Sequence, residues 1–143
     1  MTQLSSALAL RSAVHQRLAG DGALGALLGG ARIYDEPPRA AAPPYLVLAE
    51  IETRDLSGDA APAHEHAFAL EVWSRQGGLS EALKAADRVV RLIDGAALEL
   101  DGVRLANLAW ISTEAERLVG QDLRRAAIRF RAVTEPAAPA DAL

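Results

Sequence analysis

Three groupings of side chains have the chemistry to do more than fold: a pair of histidines, several neighbouring carboxylates and a row of arginines. His64 and His66 stand two apart, so on a strand both point to one face, as two ligands of a metal ion would. The third histidine, His15, is remote in sequence and the chain has no cysteine to complete a coordination shell. The pair therefore reads as the start of a solvated strand. Asp35 with Glu36, and Glu50 with Glu52, could share general acid and base work, but neither pair accompanies a nucleophile or an oxyanion loop. Gly20, Gly22 and Gly25 reproduce the spacing of a dinucleotide fingerprint. The phosphate-cradling form needs a buried strand before it and a helix opening after it. Here a helical pattern precedes and Leu27-Leu28-Gly29-Gly30 follows, which reads as a helix end and a short turn. The chain contains no nucleophile elbow, phosphate loop or HExxH run. Thiol catalysis and disulfides are excluded outright, and no catalytic set, cofactor site or metal site is expected.

The arginine row, Arg124, Arg125, Arg129 and Arg131, raises the question of phosphate binding. Alternation on a strand turns Arg124 away from the other three. A turn at Gly120-Gln121 would set Glu116 against Arg125 and Ala115 against Ala126, with Ile111 facing Phe130 and Trp110 facing Arg131. Glu114 and Glu116 then lie across from or diagonal to Arg125 and Arg129, so the row is largely neutralised. Phosphate affinity requires uncompensated positive charge. The whole chain is also acidic, with 15 basic against 19 acidic residues and a net charge of −4.

The elements that would position these residues can be read from periodicity. Residues 5–19 place Ala7, Leu10, Val14 and Leu18 on one helical stripe, with Ser5 or Ser6 as cap, Gly20 as stop, and Arg11, Gln16 and Arg17 on the other side. Residues 31–34 can form a short strand, and Pro37, Pro38, Pro43 and Pro44 fix an extended connection. Strands are expected over 45–53 and 64–75, the latter with Phe68, Leu70 and Val72 on one face and Glu71, Trp73 and Arg75 on the other. Between them, 54–62 reads as a long exposed hairpin tip. Gly77-Gly78 ends the strand, and Ser80 is the expected cap of a strongly striped helix running through Ile93 to Gly95. Asp101-Gly102 signals a two-residue hairpin joining 98–100 to 103–105, with Glu99 opposite Arg104. The Gly120-Gln121 turn joins 103–119 to a last strand, 122–133. Trp73 and Trp110 are expected on the strand faces opposite Phe68 and Phe130, as a second core layer beneath a helix or as part of a subunit interface.

The expected fold is therefore α+β, a mainly antiparallel sheet flanked by two helices in the order α-β-β-β-α-β-β-β. A chain of 143 residues with half of them hydrophobic makes one domain, expected over 1–134, with a flexible C-terminal tail over 135–143. Apolar runs fall short of the ~20 residues that cross a bilayer, and no signal-peptide pattern opens the chain. The expected location is the cytoplasm, with no membrane partner.

The order Arg32-Ile33-Tyr34-Asp35, Pro37-Pro38, Pro43-Pro44-Tyr45, then Val72-Trp73-Ser74-Arg75 before a helix, and a closing Arg124-Arg125-Ala126-Ala127-Ile128-Arg129-Phe130-Arg131, resembles one family. These strings are similar to the tail terminator, or tail completion, proteins of long-tailed phages and gene transfer agents. The resemblance implies a structural protein of the virion, assembled in the cytoplasm and carried at the neck end of the tail. It implies a homo-hexameric ring that caps the tail tube, stops its polymerisation and joins it to the head connector, with no catalytic residues. Implied partners are copies of itself, the tail tube protein and the head-tail connector or stopper protein, with DNA only as cargo in the channel. The interface candidates are Arg39, Tyr45, Arg54, Asp55, Asp59, Trp73, Trp110, Arg125, Arg129 and Arg131. A head-tail stopper or adaptor of the same neck, and a small ligand-binding domain outside phages, are the alternatives.

Overall fold

The computed structural model describes residues 5–58, 62–75 and 79–137. Among these residues, three helices, α1 (Ser6–Ala19), α2 (Gly22–Leu28) and α3 (Ser80–Ile93), accompany five strands. These are β1 (Ile33–Tyr34), β2 (Tyr45–Asp55), β3 (His64–Ser74), β4 (Val103–Leu118) and β5 (Leu123–Pro136), in the sheet order β1-β2-β3-β5-β4. β1 pairs with β2 in parallel and the other three pairings are antiparallel, so the α+β, mainly antiparallel class holds.

The core follows from strand alternation. Phe68, Leu70 and Val72 of β3 stand beside Phe130, Ile128 and Ala126 of β5, and all six are buried. Phe68 and Phe130 stack with centroids 5.3 Å apart. Against this face pack Leu10, Val14 and Leu18 of α1, Leu24 and Leu28 of α2, and the Ala82, Ala86, Val89 and Ile93 stripe of α3. Ser5 caps α1, its side chain accepting from the Leu8 amide at 3.1 Å.

Two expectations about elements are corrected. The glycine-rich stretch after α1 is a helix, because Asp21 caps it by accepting from the Leu24 amide at 2.8 Å and Gly29, at φ +76, terminates it. Interior glycines weaken a helix by about 1 kcal/mol each relative to alanine. Here the burial of Leu24 and Leu28, and a two-pronged bond from Arg88 to Asp21 at 2.8 and 2.6 Å, outweigh that penalty. The hairpin at Asp101-Gly102 does not form. β4 pairs along its whole length with β5, from Val103 beside Pro136 to Leu118 beside Leu123, and Arg104 takes Glu135 as its ionic partner instead of Glu99. Leu98 and Leu100 still pack against the core, as a segment without strand pairing. The sheet therefore has five strands and the element order is α-α-β-β-β-α-β-β.

Smaller differences have local causes. Ser80 is the first residue of α3 and Leu79 its cap, without a side-chain bond; Glu81 in the first turn instead receives the Ser74 hydroxyl from the end of β3. β5 continues to Pro136, two residues into the segment expected to fray. Gly77-Gly78 and residues 138–143 lie outside the described residues.

Candidate functional site

The helices cover one face of the sheet, and the other carries a lattice of opposite charges. Alternation brings Tyr45 of β2, Trp73 of β3 and Arg125 of β5 side by side on this bare face. The Arg125 guanidinium lies 5.7 Å from the Trp73 ring centroid, pairs with Glu116 of β4 and reaches Glu71 at 3.9 Å. Glu71 also accepts from the Trp73 indole N–H at 3.2 Å. The Tyr45 hydroxyl has its pKa raised, first by burial and then by the neighbouring Glu71 charge. Further along β5, Arg129 binds Glu50 at 2.9 Å and Arg131 binds Glu65 at 2.5 Å. The bond from Glu50 raises the pKa of Arg129 further, so that cation is permanent.

A bulge makes the Arg129 pair possible. β2 holds one residue too many between Leu48 and Ile51 relative to β3, at Ala49 and Glu50. Bulges leave backbone groups without ladder partners, and Arg11 of α1 fills the gap by donating to the carbonyls of Leu48 at 2.9 Å and Ala49 at 3.2 Å. Arg11, expected on the outer side of its helix, is thus a clamp on the sheet, and it also pairs with Asp35.

The register of β4 is as expected from Leu118 back to Ser112: Ala115 stands beside Ala126 and Glu116 beside Arg125. An extra residue at Ile111 then shifts it, so Trp110 stands beside Phe130 and Ala109 beside Arg131. The expected pairs Ile111 with Phe130 and Trp110 with Arg131 are therefore not made, and the stacked arginine and indole are Arg125 and Trp73. Trp110 shares a face with Phe130 instead of opposing it, and at 44% exposure it belongs to no buried layer. Its amide donates to Asp94 and its indole N–H to Thr113. Ile111 is 57% exposed. It borders a shallow groove of about 700 Å³ on the bare face with Glu50, Glu65, Arg129 and Arg131.

The other candidates are scattered. Arg54 pairs with Glu52 at 2.6 Å at the exposed end of β2. Asp55 accepts from the Ser57 amide and hydroxyl, which lowers its pKa and folds the start of the hairpin tip back on itself. Arg39 is exposed in the proline connection, which contains a cis Pro43-Pro44 bond. Asp59 lies outside the described residues.

The histidines are placed by a polar network. His66 is fully buried, with Nδ1 2.9 Å from the Thr53 hydroxyl and Nε2 2.8 Å from that of Thr134, bridging the strands on either side. His64 is exposed and bonded to Ser6. Alternation alone could not distinguish a buried histidine satisfied by two hydroxyls from a solvated one. Among the described residues no group of three His, Asp or Glu is arranged to hold a metal ion, and no helix is long and apolar enough to cross a membrane. A face on which Glu50, Glu65, Glu71 and Glu116 are engaged by arginines suits contact with another surface.

Comparison with known proteins bears on what that surface is. A family model described as "Tail completion protein gp17" matches residues 12–135. A chain from a structure titled "Virion of native gene transfer agent (GTA) particle" superposes with a TM-score of 0.84 at 34% identity, covering 92% of this chain and 98% of that one. No curated protein matches.

Proposed function

The chain belongs to the tail completion protein gp17 family, a family of structural virion proteins, and from that premise we propose that it forms a ring on the end of the tail tube. In this reading a hexamer seats on the last tube ring, stops further polymerisation and offers its far side to the head connector. The observation that carries it is the agreement of the family match over residues 12–135 with likeness at 34% identity to a chain of a gene transfer agent particle, over almost the full length of both.

The chemistry suits a part that works by shape. Six head-to-tail copies close without leaving a free end. The lattice of Arg125, Arg129 and Arg131 with Glu116, Glu50 and Glu65 leaves those arginines little charge for phosphate, so DNA passes as cargo instead of binding. The proline connection around Arg39 and the start of the hairpin tip at Leu56, Ser57 and Gly58 interrupt an otherwise regular chain and supply the axial contacts with tube and connector. Assembly takes place in the cytoplasm before the particle is complete.

Deletion of the gene tests the proposal. Tails of uncontrolled length, or tails without heads, are the expected outcome; particles of normal length and yield would contradict it.

A further inference from the structure

Among the described residues the sheet has two unpaired half-edges, at diagonally opposite corners. β1 covers β2 only at Leu46 and Val47, and Arg11 occupies the carbonyls of Leu48 and Ala49. Among the described residues, the edge of β2 facing away from β3 has no backbone partner over 51–55. On the far side, Gly95 and Asp94 bond the backbone of Leu108 and Trp110, covering that part of β4. Beyond the Ile111 bulge, residues 112–118 again have no backbone partner among the described residues on the edge facing away from β5. Unpaired edges are templates for another strand.

We infer that the half-edge 112–118 of one copy pairs with the half-edge 51–55 of the next, joining the sheets of neighbouring subunits around the proposed ring. This rests on the ring reading and adds the contact that makes it. Direction alternates through β2, β3, β5 and β4, so β2 and β4 run opposite ways and meet antiparallel when a second copy stands alongside. The open corners are offset along the strands, so the copies are staggered, and each copy carries one edge of each kind. Such a contact is head-to-tail and repeats.

Side chains select the register. Ile51, Thr53 and Asp55 lie on the helix-covered face of β2, as Thr113, Ala115 and Arg117 do on β4. A one-residue slip would put them on opposite faces. With Glu116 opposite Arg54, Arg117 stands opposite Thr53 and diagonal to Asp55, giving unlike charges on both faces. The same register sets Val119, which is 97% exposed at the hairpin tip, against Ile51. Sliding by two residues one way would oppose Glu116 to Glu52.

The absence of cysteine from the chain makes the test direct. Arg54→Cys and Glu116→Cys variants are mixed in equal amounts, assembled and oxidised, since directly opposed strand residues fall within disulfide reach. A covalent dimer containing one of each, absent with either variant alone and absent for Arg39→Cys mixed with Glu116→Cys, is the expected result. The doubly substituted chain should give a ladder of linked species ending at the ring. In parallel, Arg54→Glu should weaken assembly at least tenfold, and adding Glu116→Arg should restore it, with unchanged melting temperatures showing that the subunits remain folded. Rings that form in normal yield, measured by light scattering, without cross-linking or charge rescue would overturn the edge pairing and leave the ring reading standing. Failure of the unmodified protein to assemble, alone or with tube protein, would overturn both.

Discussion

Asp21 and His66 illustrate how single side chains hold this fold and set its response to pH. The Arg88 bond, helped by the Leu24 amide, pulls the Asp21 carboxyl from 3.8 down to about 2. A lowered carboxylate pKa stabilises the fold fully above the unfolded value and loses that contribution as pH falls through the folded one. An Asp21→Asn variant should melt a few degrees lower than wild type at pH 7, and the gap should close between pH 4 and 2, as measured by circular dichroism. His66 becomes charged on protonation where Asp21 becomes neutral: burial, and then the His64 charge, lower its pKa below 6.5. Its neutral form supports the fold above pH 6.5, and that support is lost as pH falls below it. His66→Ala should cost about 2–4 kcal/mol at pH 7, because it opens a cavity and strands two threonine hydroxyls. The same variant should show a flatter stability profile between pH 7 and 5; an unchanged profile would place the acid sensitivity elsewhere. Trp110→Ala separates exposure from packing. With 44% of its surface free it should change monomer stability by under about 1 kcal/mol while weakening assembly, whereas Phe130→Ala in the stacked core should cost about 3–5 kcal/mol. The arginine pairs on the bare face are solvent-facing, so Arg129→Ala should move stability by at most about 1 kcal/mol.

At the scale of elements, sequence pattern was informative wherever a face had to be buried. The α3 stripe, the alternation of β3 and β5, and the Ser5 and Gly20 limits of α1 all follow from apolar spacing and capping chemistry. The failures share a cause in contacts distant along the chain. Helix α2 depends on Arg88, 67 residues from the Asp21 it grips. The Asp101-Gly102 turn signal was locally sound but lost to the long β4–β5 ladder, which draws Arg104 to Glu135. The bulges at Ala49-Glu50 and Ile111 carry no sequence mark, and they decide where Glu50 and Trp110 stand. For the candidate surface, neutralisation of Arg125 by Glu116 was legible because both lie on one hairpin. The partners of Arg129 and Arg131, Glu50 and Glu65, come from other strands and were not. Because that row is paired, binding of duplex DNA should be weak and show a shallow dependence on salt; a steep slope would mean free positive charge.

At the scale of the molecule, the sheet is armoured on one face by helices and left charged and bare on the other, with edges at two corners that are unpaired among the described residues. A lone soluble domain gains nothing from such edges, which invite pairing; a subunit of a closed assembly has every edge satisfied by its neighbours. The assembled protein should therefore melt higher than the free subunit, in a concentration-dependent way, since binding partners stabilise only the folded form. The most direct measurement is electron microscopy of intact particles carrying a label on this chain. A ring of density at the end of the tail nearest the head is the predicted result, and label found along the tube, at the distal tip or nowhere on the particle would contradict the account.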